Sequence, residues 1–110
     1  MNSRIFYKCE FYLIYLLFFW KNIGADETVR QNKEGGGKAY SYQVDVSSKE
    51  KIYEAADKTI ADVGNVDILI NNAGIVSGAP FLELNDEKIV ASFNVNSLAL
   101  FWVRKKIYIS

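Results

Sequence analysis

The sequence predicts an α/β fold on a parallel sheet, and three observations carry that expectation. Strand-like and helix-like segments alternate along the chain, which argues for a sheet with helices packed on its faces. A run of branched residues, Val66 to Ile70, ends abruptly in Asn71-Asn72-Ala73-Gly74. Its length and side chains suit a strand buried in a sheet covered on both faces. Between the second and third strands lies a helix with readable signals at both ends.

The first strand is placed on Phe11–Trp20, an unbroken apolar run of ten in a region holding eight of the 16 aromatic residues. A bilayer span needs about 20 apolar residues, and Lys8 and Glu10 interrupt any extension backwards. No small-residue cleavage site comes after it, as a signal peptide requires. Two readings stand, a buried strand and a short membrane anchor, and the strand is preferred.

Asp26 to Gln31 suits a short helix with acidic residues at its start, where the helix dipole favours them. Gly35-Gly36-Gly37 breaks it and fits no phosphate-binding glycine pattern. Tyr40, Tyr42, Val44 and Val46 alternate with polar residues at the period of two of a strand. Ser47 to Glu50 then reads as a capping box. Ile52, Ala56, Ile60 and Val63 form one apolar helical stripe, stopped by Gly64. After the 66–72 strand and a loop through Pro80, a helix capped by Asn85 or Asp86 carries Ile89, Phe93, Leu100 and Val103.

Composition narrows the function. The 110 residues make at most one small domain, half hydrophobic, with 13 basic and 13 acidic residues. No basic block points to nucleic acid. Cys9 is the sole cysteine and histidine is absent, which excludes a disulfide framework, a Cys/His zinc site and a Ser-His-Asp triad; no metal site is expected.

The chemistry is expected beyond the carboxyl ends of the strands, where open α/β sheets bind ligands. Asn71 and Asn72 need partners if buried, and Gly74 permits a turn that other residues resist. Asp45 closes its strand before a helix cap: it is either a helix-terminal carboxylate or a holder of a base amine. Asn96 shares a helix face with Phe93 and Leu100. It is either a structural amide satisfied by neighbouring backbone or an organiser of water and a catalytic group.

Asp45-Val46, Asn71-Asn72-Ala73-Gly74 and Asn94-Val95-Asn96, in this order and at these distances, resemble the short-chain dehydrogenase/reductase family. The wording of residues 27–102, including Asn65 to Ile70 and Asn96 to Trp102, is similar to its 17-beta-hydroxysteroid and epidermal retinol dehydrogenase subgroup. The resemblance implies the central βαβαβα portion of a Rossmann-type, doubly wound parallel sheet. It divides the chain into a divergent or membrane-proximal segment over 1–12, a partial NAD(P)-binding domain over 13–102 and a divergent tail over 103–110.

By the same resemblance Asp45 contacts adenine with Val46 beside it, Asn72, Ala73 and Gly74 pass the adenosine ribose, and Asn96 is the catalytic-site asparagine that holds a water. The implied cofactor is NAD or NADP, with Lys21 or Asn22 near the position that chooses between them. The implied reaction is hydride transfer with secondary alcohols, ketones or retinoids, on apolar steroid or retinoid substrates. The implied location is the endoplasmic reticulum membrane or lipid droplet, with a cytoplasmic alternative, and a homo-oligomer is a partner option.

Two family features are missing from these residues. No glycine precedes Gly24, so the turn T-G-x-x-x-G-x-G and its strand are not found, and no tyrosine has lysine four residues later. The expectation is therefore a fragment inactive by itself. The rival is a non-catalytic, membrane-tethered or partner-binding remnant, whose sheet, lacking its first strand, would present unpaired edge groups.

Overall fold

The computed structural model describes residues 3–8, 12–17 and 23–109, with side chains from Ala25 to Tyr108. The strands are β1 (Ser3–Lys8), β2 (Tyr12–Leu17), β3 (Lys38–Gln43) and β4 (Ile68–Ile70). The helices are α1 (Ile23–Glu34), α2 (Lys49–Val63), α3 (Asp86–Phe93) and α4 (Ala99–Ile109), with a π turn over Asn94–Leu98 between the last two. The apolar run is strand over Tyr12–Leu17, while Phe11, Phe18–Trp20, Lys21 and Asn22 lie outside the described residues. Among the described residues no helix is long and apolar enough to cross a membrane.

The sheet order is β3-β2-β1-β4. β2 and β3 are parallel, from Tyr12 opposite Lys38 to Leu17 opposite Gln43. β1 runs antiparallel to both its neighbours, with Ser3 opposite Leu17 and Ile5 opposite Ile70. β2, β3 and β4 therefore share one direction. The sequence pattern predicts no strand at 3–8 and a sheet short of one; β1 stands between β2 and β4 instead. Only three residues join β1 to β2, and a parallel connection needs a dozen or more, so the pair can only be antiparallel.

Helices cover both faces. Neighbouring residues of a strand point to opposite sides, and the Ser41 hydroxyl donates to Asp26 Oδ1 of α1 at 2.9 Å while the Tyr42 hydroxyl donates to Asp62 of α2. α1 is laced by Arg30, which bonds Glu27 and Glu34; the guanidinium, and then Gln31, hold the Glu27 carboxyl down to about 2. It packs chiefly on β3 and then on β2. The β4 end of that face is consequently bare: Ile68 is 49% exposed and Ile70 39%, while Leu69 turns to the core. The expectation of a strand covered on both faces is corrected to one covered on a single face.

The core lies on the other side, where Tyr42, Val44, Val46 and Ala73 meet α2 and α4. Ala55, Ala56 and Ala99 are buried there, small side chains that let the two helices close on each other. On α2 the buried residues are Ile52, Ala55, Ala56 and Thr59, whereas Ile60 and Val63 are only partly covered. The expected stripe is displaced toward Thr59, a polar residue that apolar counting omits; its hydroxyl donates to the Ala55 carbonyl at 2.8 Å. The cap is Ser48 rather than Ser47, with its Oγ accepting from the Lys51 amide at 3.4 Å. Gly64 ends the helix at φ 89°.

Asn85 caps α3, accepting from the Lys88 amide at 3.0 Å. Phe93, expected on the buried face, is 65% exposed. The π turn explains the difference: it inserts an extra residue and rotates the helix beyond it, so the buried stripe becomes Val95, Ala99, Val103 and Ile107. Residues 103–109 continue α4, and Lys106 pairs with Asp57 of α2 at 2.7 Å.

Tyr42 supplies a pH test. Burial first, then the bond to Asp62 and its charge, push the phenol well above its ordinary value. A raised folded value means a proton held more tightly in the folded state. The contribution is complete below about pH 10, the unfolded value, and is lost as pH climbs beyond it. The urea midpoint of Tyr42→Phe, tracked from neutral to strongly alkaline pH, is expected to fall less steeply than that of the parent.

Candidate cofactor edge

Asp45, Asn71 to Gly74 and Asn96 belong to segments gathered at one edge of the sheet. β3 and β4 run the same way, so the residues after them emerge on the same side. Three buried neighbours anchor the segments in one packed cluster: Val46, fully buried, then Val95 and Ala73. The side chains of Val46 and Ala73 are buried, and their burial fixes the exposed Asp45 and Asn72 beside them.

Asp45 is held by a local turn. Its Oδ1 accepts from the Ser47 amide at 2.9 Å and the Ser47 hydroxyl at 2.7 Å, and its carbonyl accepts from the Ser48 amide at 3.2 Å. The carboxylate is thereby fixed through one oxygen, and among the described residues Oδ2 has no hydrogen-bond partner. Ser47, expected as a cap, serves Asp45 instead, and the Asp-x-Ser spacing of an Asx turn is the signal for that role.

Asn96 sits in the π turn and clamps the loop after β4. Its Oδ1 accepts from the Ile75 amide at 2.8 Å, and its Nδ2 donates to the Ile75 carbonyl at 2.9 Å. The side chain meets neighbouring backbone, as the structural reading expects, with each end of the amide bonded once to one peptide unit. Ile75 has no signal of its own, since its contribution is backbone. Gly74 is not among the glycines at positive φ; in this loop that conformation belongs to Gly78, at φ 65°.

A separate open cleft of 440 Å³ lies between β3 and α2, lined by Tyr42, Lys51, Glu54 and Lys58 among others. Its cations are occupied: Lys51 bonds Glu54 at 2.9 Å and Lys58 lies over the Tyr42 ring at 5.1 Å. None of the expected site residues lines it.

A dinucleotide finds a partial fit. Oδ2 of a fixed, exposed Asp45 matches a base amine, and the clamped loop offers a firm wall at the same edge. Pyrophosphate is ordinarily met by a helix N-terminus beside a central strand. Here the central strand β1 brings its own first residue, Ser3, to that edge, opposite the last residue of β2.

Helices on both faces of a doubly wound sheet and polar residues at its carboxyl edge define a Rossmann-type nucleotide-binding fold. The model of the short chain dehydrogenase family matches residues 15–109, and the chain belongs to that family. It is 45% identical over 83 residues to human epidermal retinol dehydrogenase 2, and 43% identical over 82 residues to estradiol 17-beta-dehydrogenase 11 of Macaca fascicularis. In each case the match covers 74% of this chain and 27% of the relative, so the chain spans about a quarter of the length of these relatives. A short chain dehydrogenase from Burkholderia cenocepacia, solved in complex with NADP, superposes with a TM-score of 0.78 at 26% identity, covering 86% of this chain and 39% of that one.

Proposed function

We propose that this chain is the adenosine-side segment of an NAD(P)-dependent oxidoreductase that acts on secondary alcohols, ketones or retinoids. The observation that carries the reading is the likeness to a retinol and an estradiol dehydrogenase, together with a family match over residues 15–109 that holds the candidate edge. Asp45 Oδ2 accepts from the adenine amine, with the Ser47 bonds keeping the carboxylate from turning away. Asn72 and Gly74 border the ribose, and Asn96 positions their loop through Ile75. When bound, the nicotinamide ring supplies or accepts the hydride. The substrate is an apolar steroid or retinoid, and the place of action is the endoplasmic reticulum membrane or lipid droplet surface, both by likeness to that subgroup.

Residues 1–110 contain no Tyr-x-x-x-Lys to move the substrate proton. The purified chain is expected to bind ADP-ribose weakly and to turn over neither NADH nor NADPH with retinal or estrone. Calorimetry on the parent and on Asp45→Ala tests the adenosine assignment: the substitution is expected to weaken ADP-ribose about tenfold or more, the worth of one hydrogen bond to a charged group. Equal affinity for both proteins would remove Asp45 from the site, and measurable turnover would overturn the inactivity.

The second reading, a non-catalytic form of the fold, is favoured by one observation: β1 occupies the middle of the sheet with its first residue at the edge where the pyrophosphate would lie. Complete failure to bind ADP-ribose, with the fold intact, would support it.

A further inference from the structure

The outer edge of β3 is open. β3 ends the sheet order, with β2 on one side and, among the described residues, no strand on the other. It offers six residues to pair, whereas β4 at the opposite end of the sheet offers three. The cleft between β3 and α2 runs along this edge. Ser41 points to the α1 side, where it bonds Asp26, and Gln43 follows it by the alternation of a strand. Both nevertheless line the cleft together with Tyr42 and Ala55, and residues that point away from α2 reach it around the free border of their strand. The 440 Å³ beside that border therefore suits a further strand, its main chain pairing with β3 and its side chains entering the cleft.

The charges on α2 say which strand. Lys51, Glu54 and Lys58 line the cleft, and Asp62 stands one turn further on, bonded to the Tyr42 hydroxyl. All four are exposed. Basic, acidic, basic, acidic is an order complementary to its own reverse. Against an antiparallel copy Lys51 meets Asp62 and Glu54 meets Lys58, and a two-fold axis repeats each pair. Lys58 joins no ion pair among the described residues, and the Lys51–Glu54 pair is held at the surface, where exchanging partners costs little. The midpoint of the row falls at Ala56. Because Tyr42 and Ala55 line the same cleft, that midpoint lies close to the middle of β3. One axis perpendicular to the sheet thus relates strand to strand and helix to helix, as an isologous contact requires.

We propose that two copies of this chain pair through β3, antiparallel, into one continuous sheet with the two α2 helices side by side on the same face. The main-chain bonds provide most of the association, and the charges of α2 set its direction and register. The inference is independent of the cofactor reading.

Sedimentation equilibrium of the full chain, from micromolar to near-millimolar loading, tests it together with amide hydrogen exchange. The parent is expected to dimerise within that range, and exchange within Tyr40 to Gln43 to slow about tenfold or more as concentration rises. E54K sets lysine against lysine across the axis, and K58E sets glutamate against glutamate. Each variant alone is expected to associate about fivefold or more weakly, since two attractive contacts per dimer become repulsive. An equimolar mixture of the two is expected to return to within about threefold of the parent, because those contacts are then opposite in sign again. Both changes are at exposed positions, and circular dichroism checks that each variant is folded. A parent monomeric throughout, a mixture no stronger than the separate variants, or association that leaves the β3 amides unprotected overturns the proposal. So does a monomeric parent whose β3 amides are protected by an added peptide of alternating valine and glutamate, which would give the edge to a foreign strand.

Discussion

Ile52→Ala lowers the unfolding free energy by about 2–4 kcal/mol, enough to bring a domain of this size close to its folding threshold. Ile52 is 2% exposed in the first turn of α2 and belongs to the cluster that joins α2, α4 and the carboxyl ends of β3 and β4. Truncation removes the transfer free energy of its outer carbons and leaves a cavity that the framework fills only in part. The surroundings cannot easily close on it, because the neighbouring Ala55, Ala56 and Ala99 have nothing to extend into the space. The melting temperature is expected to fall by about 10–20 °C. Ile60→Ala is the control: that residue is only half-buried and should cost about 1 kcal/mol. Equal losses from the two substitutions would mean that the buried stripe of α2 is the one read from apolar spacing, with Ile60 in it.

Asn96→Ala opens the candidate edge without unfolding the core. Two hydrogen bonds disappear, leaving the Ile75 amide and carbonyl to water. The residue is exposed, so the global cost is about 1–2 kcal/mol. The local effect is larger in proportion, since the clamp is what ties the loop after β4 to the helix. Exchange protection of the Ile75 amide is expected to fall about tenfold or more, while amides of α2 change little. Asn96→Asp sharpens the test. At neutral pH a carboxylate still accepts from the Ile75 amide but faces the Ile75 carbonyl with a second negative oxygen. Below about pH 4 the carboxyl gains a proton that can donate to that carbonyl, restoring both bonds. Protection that recovers on acidification in Asn96→Asp but not in Asn96→Ala confirms the clamp; identical pH profiles exclude it.

The alternation of strands and helices is legible because both periods are present: two over Tyr40 to Val46, and near 3.6 over Ile52 to Val63. Caps are legible to within one residue: Asn85 is one of the two candidates read from the sequence, and Ser47 is one position early, because two adjacent serines offer the same hydroxyl. The exposure of Phe93 is not, since a π turn changes the helical period and leaves no mark in composition. Thr59 escapes because a hydroxyl bonded to its own helix packs like an apolar group. β1 escapes for another reason: Ser3 to Lys8 mixes charged and aromatic residues without a clean pattern, and a hairpin with its neighbour decides its place. At the edge, the residue types are readable but their partners are not. Nothing in Asn96 names Ile75, which lies in a different element and contributes only backbone.

The placement of β1 also orders assembly in time. Its bonds to β2 close a short hairpin, an event of microseconds, whereas Ile5 must wait for Ile70, far along the chain, to occupy its other edge. A ribosome delivers β1 and β2 well before β4. Until Ile68 to Ile70 emerge, the nascent hairpin carries an open border on a highly aromatic segment, the kind of unpaired edge that makes a folding intermediate prone to aggregate.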